Sequence, residues 1–122
     1  MKKTVENNTI SEEMKQILNE LKSSFQEKKE VTDDVVVKMK NLRELYKDIQ
    51  QPTMVKSIRL TYEHLLNFGT LDNLTYWETE EIELDDECTS IGYYFDLLYK
   101  PFNKYNREEI KEINLLLKEM AE

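Results

Sequence analysis

The sequence predicts an all-α fold, a bundle of four to five helices with an irregular acidic excursion between the third and the fourth. Three observations carry this expectation. Apolar residues recur at three- and four-residue spacing through most of the chain, which places them on one face of a helix. Glycine and proline occur only twice each in 122 residues, too seldom for the many tight turns of a β-sandwich. Leu, Lys, Glu and Met, all good helix formers, are plentiful. A chain of this length is expected to form one domain with its own hydrophobic core. Residues 1–8 read as a loose polar tail and residues 9–122 as a single helical domain.

A first helix is expected to begin near Thr9 or Ser11, with Thr9 and Glu12 as a capping box, and to run to about Lys29. Met14, Ile17, Leu18, Leu21 and Phe25 are its inward stripe. Thr32 is the expected N-cap of a second helix. Asp33 and Asp34 follow at the positive end of its dipole, and Val31 and Val36 are spaced as a hydrophobic staple. Val35, Met39, Leu42, Tyr46 and Ile49 form its stripe, and Pro52 ends it near Gln50. The short link to the first helix favours an antiparallel hairpin. A third helix spans about Thr53 to Phe68, with Met54, Val55, Ile58, Tyr62, Leu65 and Leu66 inward and Gly69 as a left-handed C-cap.

The acidic excursion follows. Neither a period of 2 nor one of 3.6 separates its apolar from its polar residues, so a loop is expected, pinned by Leu71, Leu74, Trp77, Ile82 and Leu84. A fourth helix covers Thr89 to Tyr99, with Ile91, Tyr94, Phe95 and Leu98 inward; Gly92 weakens it and Pro101 stops it. For the last helix the pattern points to Asn106 as N-cap, Glu109 closing a capping box and Tyr105 stapled on Ile110. Its stripe is Ile110, Ile113, Leu116, Leu117 and Met120.

Charge is unevenly spread. Of 25 acids, nine lie between Thr70 and Tyr99, a stretch with no Lys, Arg or His; the other 16 almost balance the 17 cations. The net charge of −8 therefore belongs to this segment. It repels nucleic-acid phosphates and favours basic partners. The single cysteine, Cys88, excludes an intramolecular disulfide and suggests a reducing compartment. Met1-Lys2-Lys3 is followed by polar residues rather than an apolar run, and nowhere do about 18 apolar residues occur together. The expectation is a soluble, cytoplasmic protein.

Chemistry finds little support. One histidine, His64, and one cysteine cannot form a zinc cluster. Asp85-Asp86-Glu87 lacks the spacing of a calcium loop. Acids flanking Cys88 disfavour its thiolate, and His64 reads as an ordinary helix-face residue. Glu78-x-x-Glu81 matches half of the magnesium-binding pattern of all-α nucleotide pyrophosphatases, but no second half follows, and there is no phosphate-binding glycine loop. Lysines and arginines of the first half are mixed with acids, as on a solvated, i,i+4-paired surface. No catalytic residue, metal, cofactor or direct nucleic-acid contact is expected.

The acidic, aromatic segment remains. Seven acids among the ten residues from Glu78 to Glu87 repel one another. Tyr and Trp anchor many interfaces, and a field of one sign steers an oppositely charged partner. The expectation is a small non-catalytic antagonist, of the immunity or phage anti-defence kind. It would dock Trp77, Glu80, Glu81, Glu83, Asp85 and Asp86 on a basic or nucleic-acid-handling protein, its carboxylates imitating phosphates. The alternative is a structural or scaffolding subunit that self-associates or assembles through apolar helix faces such as the Val35-to-Ile49 stripe.

Overall fold

The computed structural model describes residues 10–28, 30–74, 76 and 90–121. Among them the chain forms five α-helices and no strand: α1 (Glu12–Lys28), α2 (Asp33–Asp48), α3 (Pro52–Phe68), α4 (Ser90–Leu98) and α5 (Lys104–Ala121). The main packing partners run α1–α2–α3–α5–α4 and back to α1, so the helices close a ring around one core. Thr53 and Lys56 share a surface hollow with Lys111 and Asn114, and Leu60 and His64 share another with Leu117 and Ala121. The neighbours α3 and α5 therefore run in the same direction, which the intervening α4 makes possible.

Local signals place most helix ends. The Ser11 hydroxyl accepts from Met14 N–H at 3.2 Å, so Ser11 starts α1. The Thr32 hydroxyl accepts from Val35 N–H at 3.2 Å, with Asp33 and Asp34 in the first turn. At the end of α2, Gln50 N–H donates to Lys47 O and Gln51 N–H to Tyr46 O, both at 3.0 Å. This is the Schellman pairing, and it holds Gln50 at φ +58°, in the left-handed region that glycine adopts more cheaply. Pro52 occupies the first turn of α3, where its missing N–H costs nothing. Gly69, at φ +77°, caps the other end by donating to Leu65 O at 2.7 Å.

The inward stripes of α1, α2 and α4 fall where the spacing puts them. Met14, Leu18, Leu21, Val35, Met39, Leu42, Tyr46, Tyr94, Phe95 and Leu98 are all essentially inaccessible. One stripe and one cap need correction. On α3, Leu66 faces solvent and Ser57, Thr61 and His64 are buried. This helix is flanked by both α2 and α5, so its buried arc is wider than apolarity marks and includes small polar side chains. On α5, Asn103 rather than Asn106 is the N-cap: its Oδ1 accepts from Asn106 N–H at 3.1 Å. Starting one turn earlier frees the Asn106 amide to donate to Leu97 O at 3.2 Å and Lys100 O at 3.4 Å, carbonyls at the end of α4. Tyr105, 76% exposed, forms no staple.

Two buried phenols cross the ring. Tyr46 of α2 donates to the Leu98 carbonyl of α4. Tyr94 of α4 shares a hydrogen bond of 2.9 Å with Ser57 of α3. At the rim, Lys22 of α1 pairs with Asp96 of α4.

The two left-handed positions give opposite expectations. A Cβ at Gly69 would meet nothing within 4 Å, so Gly69→Ala carries only the backbone cost, about 1 kcal/mol. Gln50→Gly relieves a similar strain, and its denaturation midpoint is expected above that of the unaltered chain while that of Gly69→Ala falls below it.

Candidate functional site

Trp77, Glu80, Glu81, Glu83, Asp85 and Asp86 lie outside the described residues, as do Ile82, Leu84, Cys88 and Glu78. What the structure does show is how the segment between Tyr76 and Ser90 is held at its two ends.

The entry foot grows out of the α3 cap. After Gly69 the chain makes a short turn in which Asp72 N–H donates to the Thr70 hydroxyl at 2.9 Å and Leu74 N–H to Leu71 O at 3.1 Å. Leu71 and Leu74 are buried in the core beneath this turn, as the sequence leads one to expect, and so is Tyr76. His64 Nε2 donates to Asn73 Oδ1 at 2.8 Å, and its ring lies 4.6 Å from that of Phe68. His64 is thus a buried tie between α3 and the turn, not a helix-face residue.

The exit foot is the first turn of α4. Buried Ser90 donates its hydroxyl to Asp72 Oδ1, so the chain leaves and re-enters the bundle at one place. A second tie lies nearby. Tyr76 and Tyr93, one from each foot, both donate to Glu109 Oε1 of α5, Tyr76 at 2.7 Å. One carboxylate oxygen thus links the two feet to a third helix. The sequence marks Glu109 as a capping residue; it gives no sign that two phenols converge on it, because the convergence depends on how α4 packs on α5.

Burial controls the tyrosines. It pushes the Tyr46 phenol far above the ordinary range. It does the same at Tyr76, where the hydrogen bond to Glu109 adds to it. Tyr94 is pushed up to about 12 by burial, against the opposing effect of its bond to Ser57. Among the described residues no group of three or more His, Cys, Asp or Glu side chains is placed to hold a metal ion, and no helix is long and apolar enough to cross a membrane.

No protein-family model, no curated protein and no solved structure matches this chain.

Two outcomes are expected from these ties. Each raised phenol keeps its proton to higher pH when folded than when unfolded. For Tyr46 and Tyr94, the two deepest, the stabilisation is complete below the unfolded value and is lost as pH rises past about 10, by about 1.4 kcal/mol per pH unit each. For Tyr94 this decline ends near its folded value of about 12. Denaturation midpoints measured at about pH 9 and about pH 11 are therefore expected to fall steeply between the two. Ser90→Ala removes the tie to Asp72, at a cost of about 1–2 kcal/mol. Hydrogen exchange is expected to quicken at residues 70–74 and 90–93 while the middle of α2 keeps its protection.

Proposed function

We propose that this chain is a non-catalytic, protein-binding antagonist that presents residues 77–89 to a basic surface of another protein. The reading is supported above all by the charge distribution: the cation-free stretch from Thr70 to Tyr99 holds nine acids in a chain that is otherwise nearly neutral. The anchoring of both feet adds to it. Asp72 and Ser90 are in direct contact, and Glu109 receives Tyr76 and Tyr93. A segment tethered at both ends loses less conformational freedom on binding than a free tail.

In this reading Trp77 is the apolar anchor, while Glu80, Glu81, Glu83, Asp85 and Asp86 supply the field that steers and orients the partner. A partner whose own ligand is nucleic acid fits, since spaced carboxylates can stand in for phosphates. The single cysteine is consistent with work in a reducing, cytoplasmic setting. Assembly through the α2 stripe is disfavoured by its position: Val35, Met39, Leu42 and Tyr46 are no more than 1% exposed, so using them would mean opening the core.

The test replaces the five acids by their amides, Glu80→Gln, Glu81→Gln, Glu83→Gln, Asp85→Asn and Asp86→Asn, in one tagged chain. Capture of a basic partner from source-cell lysate is expected to drop at least tenfold, about 1.4 kcal/mol, with the helical circular dichroism unchanged. Undiminished capture would refute the assignment of these residues.

A further inference from the structure

The outer side of α2, α3 and α5 carries the opposite charge. A hollow of about 420 Å³ between α2 and α3 is lined by Arg43, Lys47, Lys56 and Arg59, with Gln50, Gln51, Pro52 and Val55, and by no acid. A second, of about 350 Å³ between α3 and α5, is lined by Lys56, Lys111 and Lys118, with Thr53, Asn114 and Leu115, again by no acid. Lys56 belongs to both hollows, so six cations form one band across three helices. Arg43 and Arg59 have only loose ion pairs along their own helices, with Glu44 at 3.5 Å and Glu63 at 3.6 Å. Lys47, Lys56, Lys111 and Lys118 make no ion pair with any described residue. The sequence places cations here among acids, as on a solvated surface. In the structure the acids are turned out of the two hollows.

The band is not purely polar. Val55 and Pro52 line the first hollow. Leu115, 63% exposed, stands between Lys111 and Lys118 in the second. Cations interleaved with apolar contacts suit an acidic peptide carrying apolar side chains better than a bare phosphate backbone. The chain contains such a peptide: in residues 77–87, Trp77, Ile82 and Leu84 are set among seven acids.

We infer that the basic band binds the acidic segment of a second copy of this chain, giving a head-to-tail contact between copies. The position of the feet favours a second copy over the chain's own segment. Glu109, where Tyr76 is anchored, and Lys111, on the wall of the basic hollow, are two residues apart on α5. At about 100° per residue they point to opposite sides of that helix. The segment is therefore tethered on the side turned away from the band. A contact of this kind uses a different surface on each copy, so it propagates rather than stopping at a pair unless it closes into a ring. The inference rests on the reading of residues 77–89 as a docking segment. It adds that copies compete with the partner for that segment, so that self-association holds the antagonist in reserve until a more basic surface displaces the neighbouring copy.

The experiment is sedimentation velocity on the full chain at low and at high salt, with two complementary variants. One carries Lys56→Glu and Lys111→Glu, two exposed substitutions that spare the core, with the segment intact. The other carries the five acid-to-amide changes with the band intact. The unaltered chain is expected to form species heavier than the monomer at low salt, growing with concentration, and to dissociate at high salt. Each variant alone is expected to stay monomeric. Their mixture is expected to form a one-to-one pair and nothing larger, because each variant keeps one working half of the contact. An unaltered chain that is monomeric at low salt overturns the inference, whether the segment folds back on its own chain or the band serves another polyanion. So does an assembly that survives high salt or the Lys56→Glu, Lys111→Glu pair. The two readings fail separately: a monomeric unaltered chain at low salt overturns the contact between copies and leaves partner capture standing, whereas undiminished capture by the amide variant refutes the proposed function.

Discussion

Two buried phenols hold this ring of helices together across its middle, and the placement of α4 depends on them. At nine residues, α4 is too short to be a stable helix by itself. Its position is set from outside. Tyr46 of α2 ties to the Leu98 carbonyl at one end, and Tyr94 reaches Ser57 of α3 from the middle. Around them, Phe25 and Phe95 lie 6.1 Å apart, joining α1 to α4 through ring contact. A buried hydroxyl without a partner costs more than its hydrogen bond contributes net, so these pairings select one arrangement of the core over others of similar apolar content. The anchoring of the acidic segment at its two ends follows from that arrangement. α4 carries Ser90 and Tyr93, and only when it is seated between α1 and α5 do these meet Asp72 and Glu109.

The sequence foretold the parts of the fold governed by local chemistry. Thr32 caps α2, Gly69 adopts the left-handed turn after α3, and the apolar spacing of α1, α2 and α4 marks their buried faces, because each of these signals acts within a turn or two of chain. It was less informative where tertiary packing decides. His64 read as a helix-face residue, and Ser57 and Thr61 were not among the inward positions named for α3, yet α3 is enclosed by two neighbours and buries all three. The pattern pointed to Asn106 as the cap of α5, yet Asn103 is the cap. The choice went to the earlier one, since it leaves the Asn106 amide to satisfy carbonyls at the end of α4. The candidate site divides the same way. Its charge was visible in composition, and Leu71 and Leu74 were recognisable as pins. The meeting of Tyr76, Tyr93 and Glu109, and the basic band on the far side of α5, come from residues distant in sequence and could be seen only once the helices were in place.

The described surface is uneven in charge, with six cations gathered on the outer side of α2, α3 and α5. A partner approaching the segment feels acids, and one approaching the outer side of α2, α3 and α5 feels cations. Outside Thr70 to Tyr99 the 17 cations and 16 acids nearly balance, so net charge gives no sign of this band.

The central claim is that the segment between the two feet recognises a basic protein by charge. The most direct measurement is a pull-down with the intact chain from source-cell lysate, washed at low and then at high salt, with the bound proteins identified by mass spectrometry. A basic, nucleic-acid-handling protein is expected to be retained at low salt and released at high salt. Recovery of only further copies of the chain, or of a partner indifferent to salt, would contradict the claim.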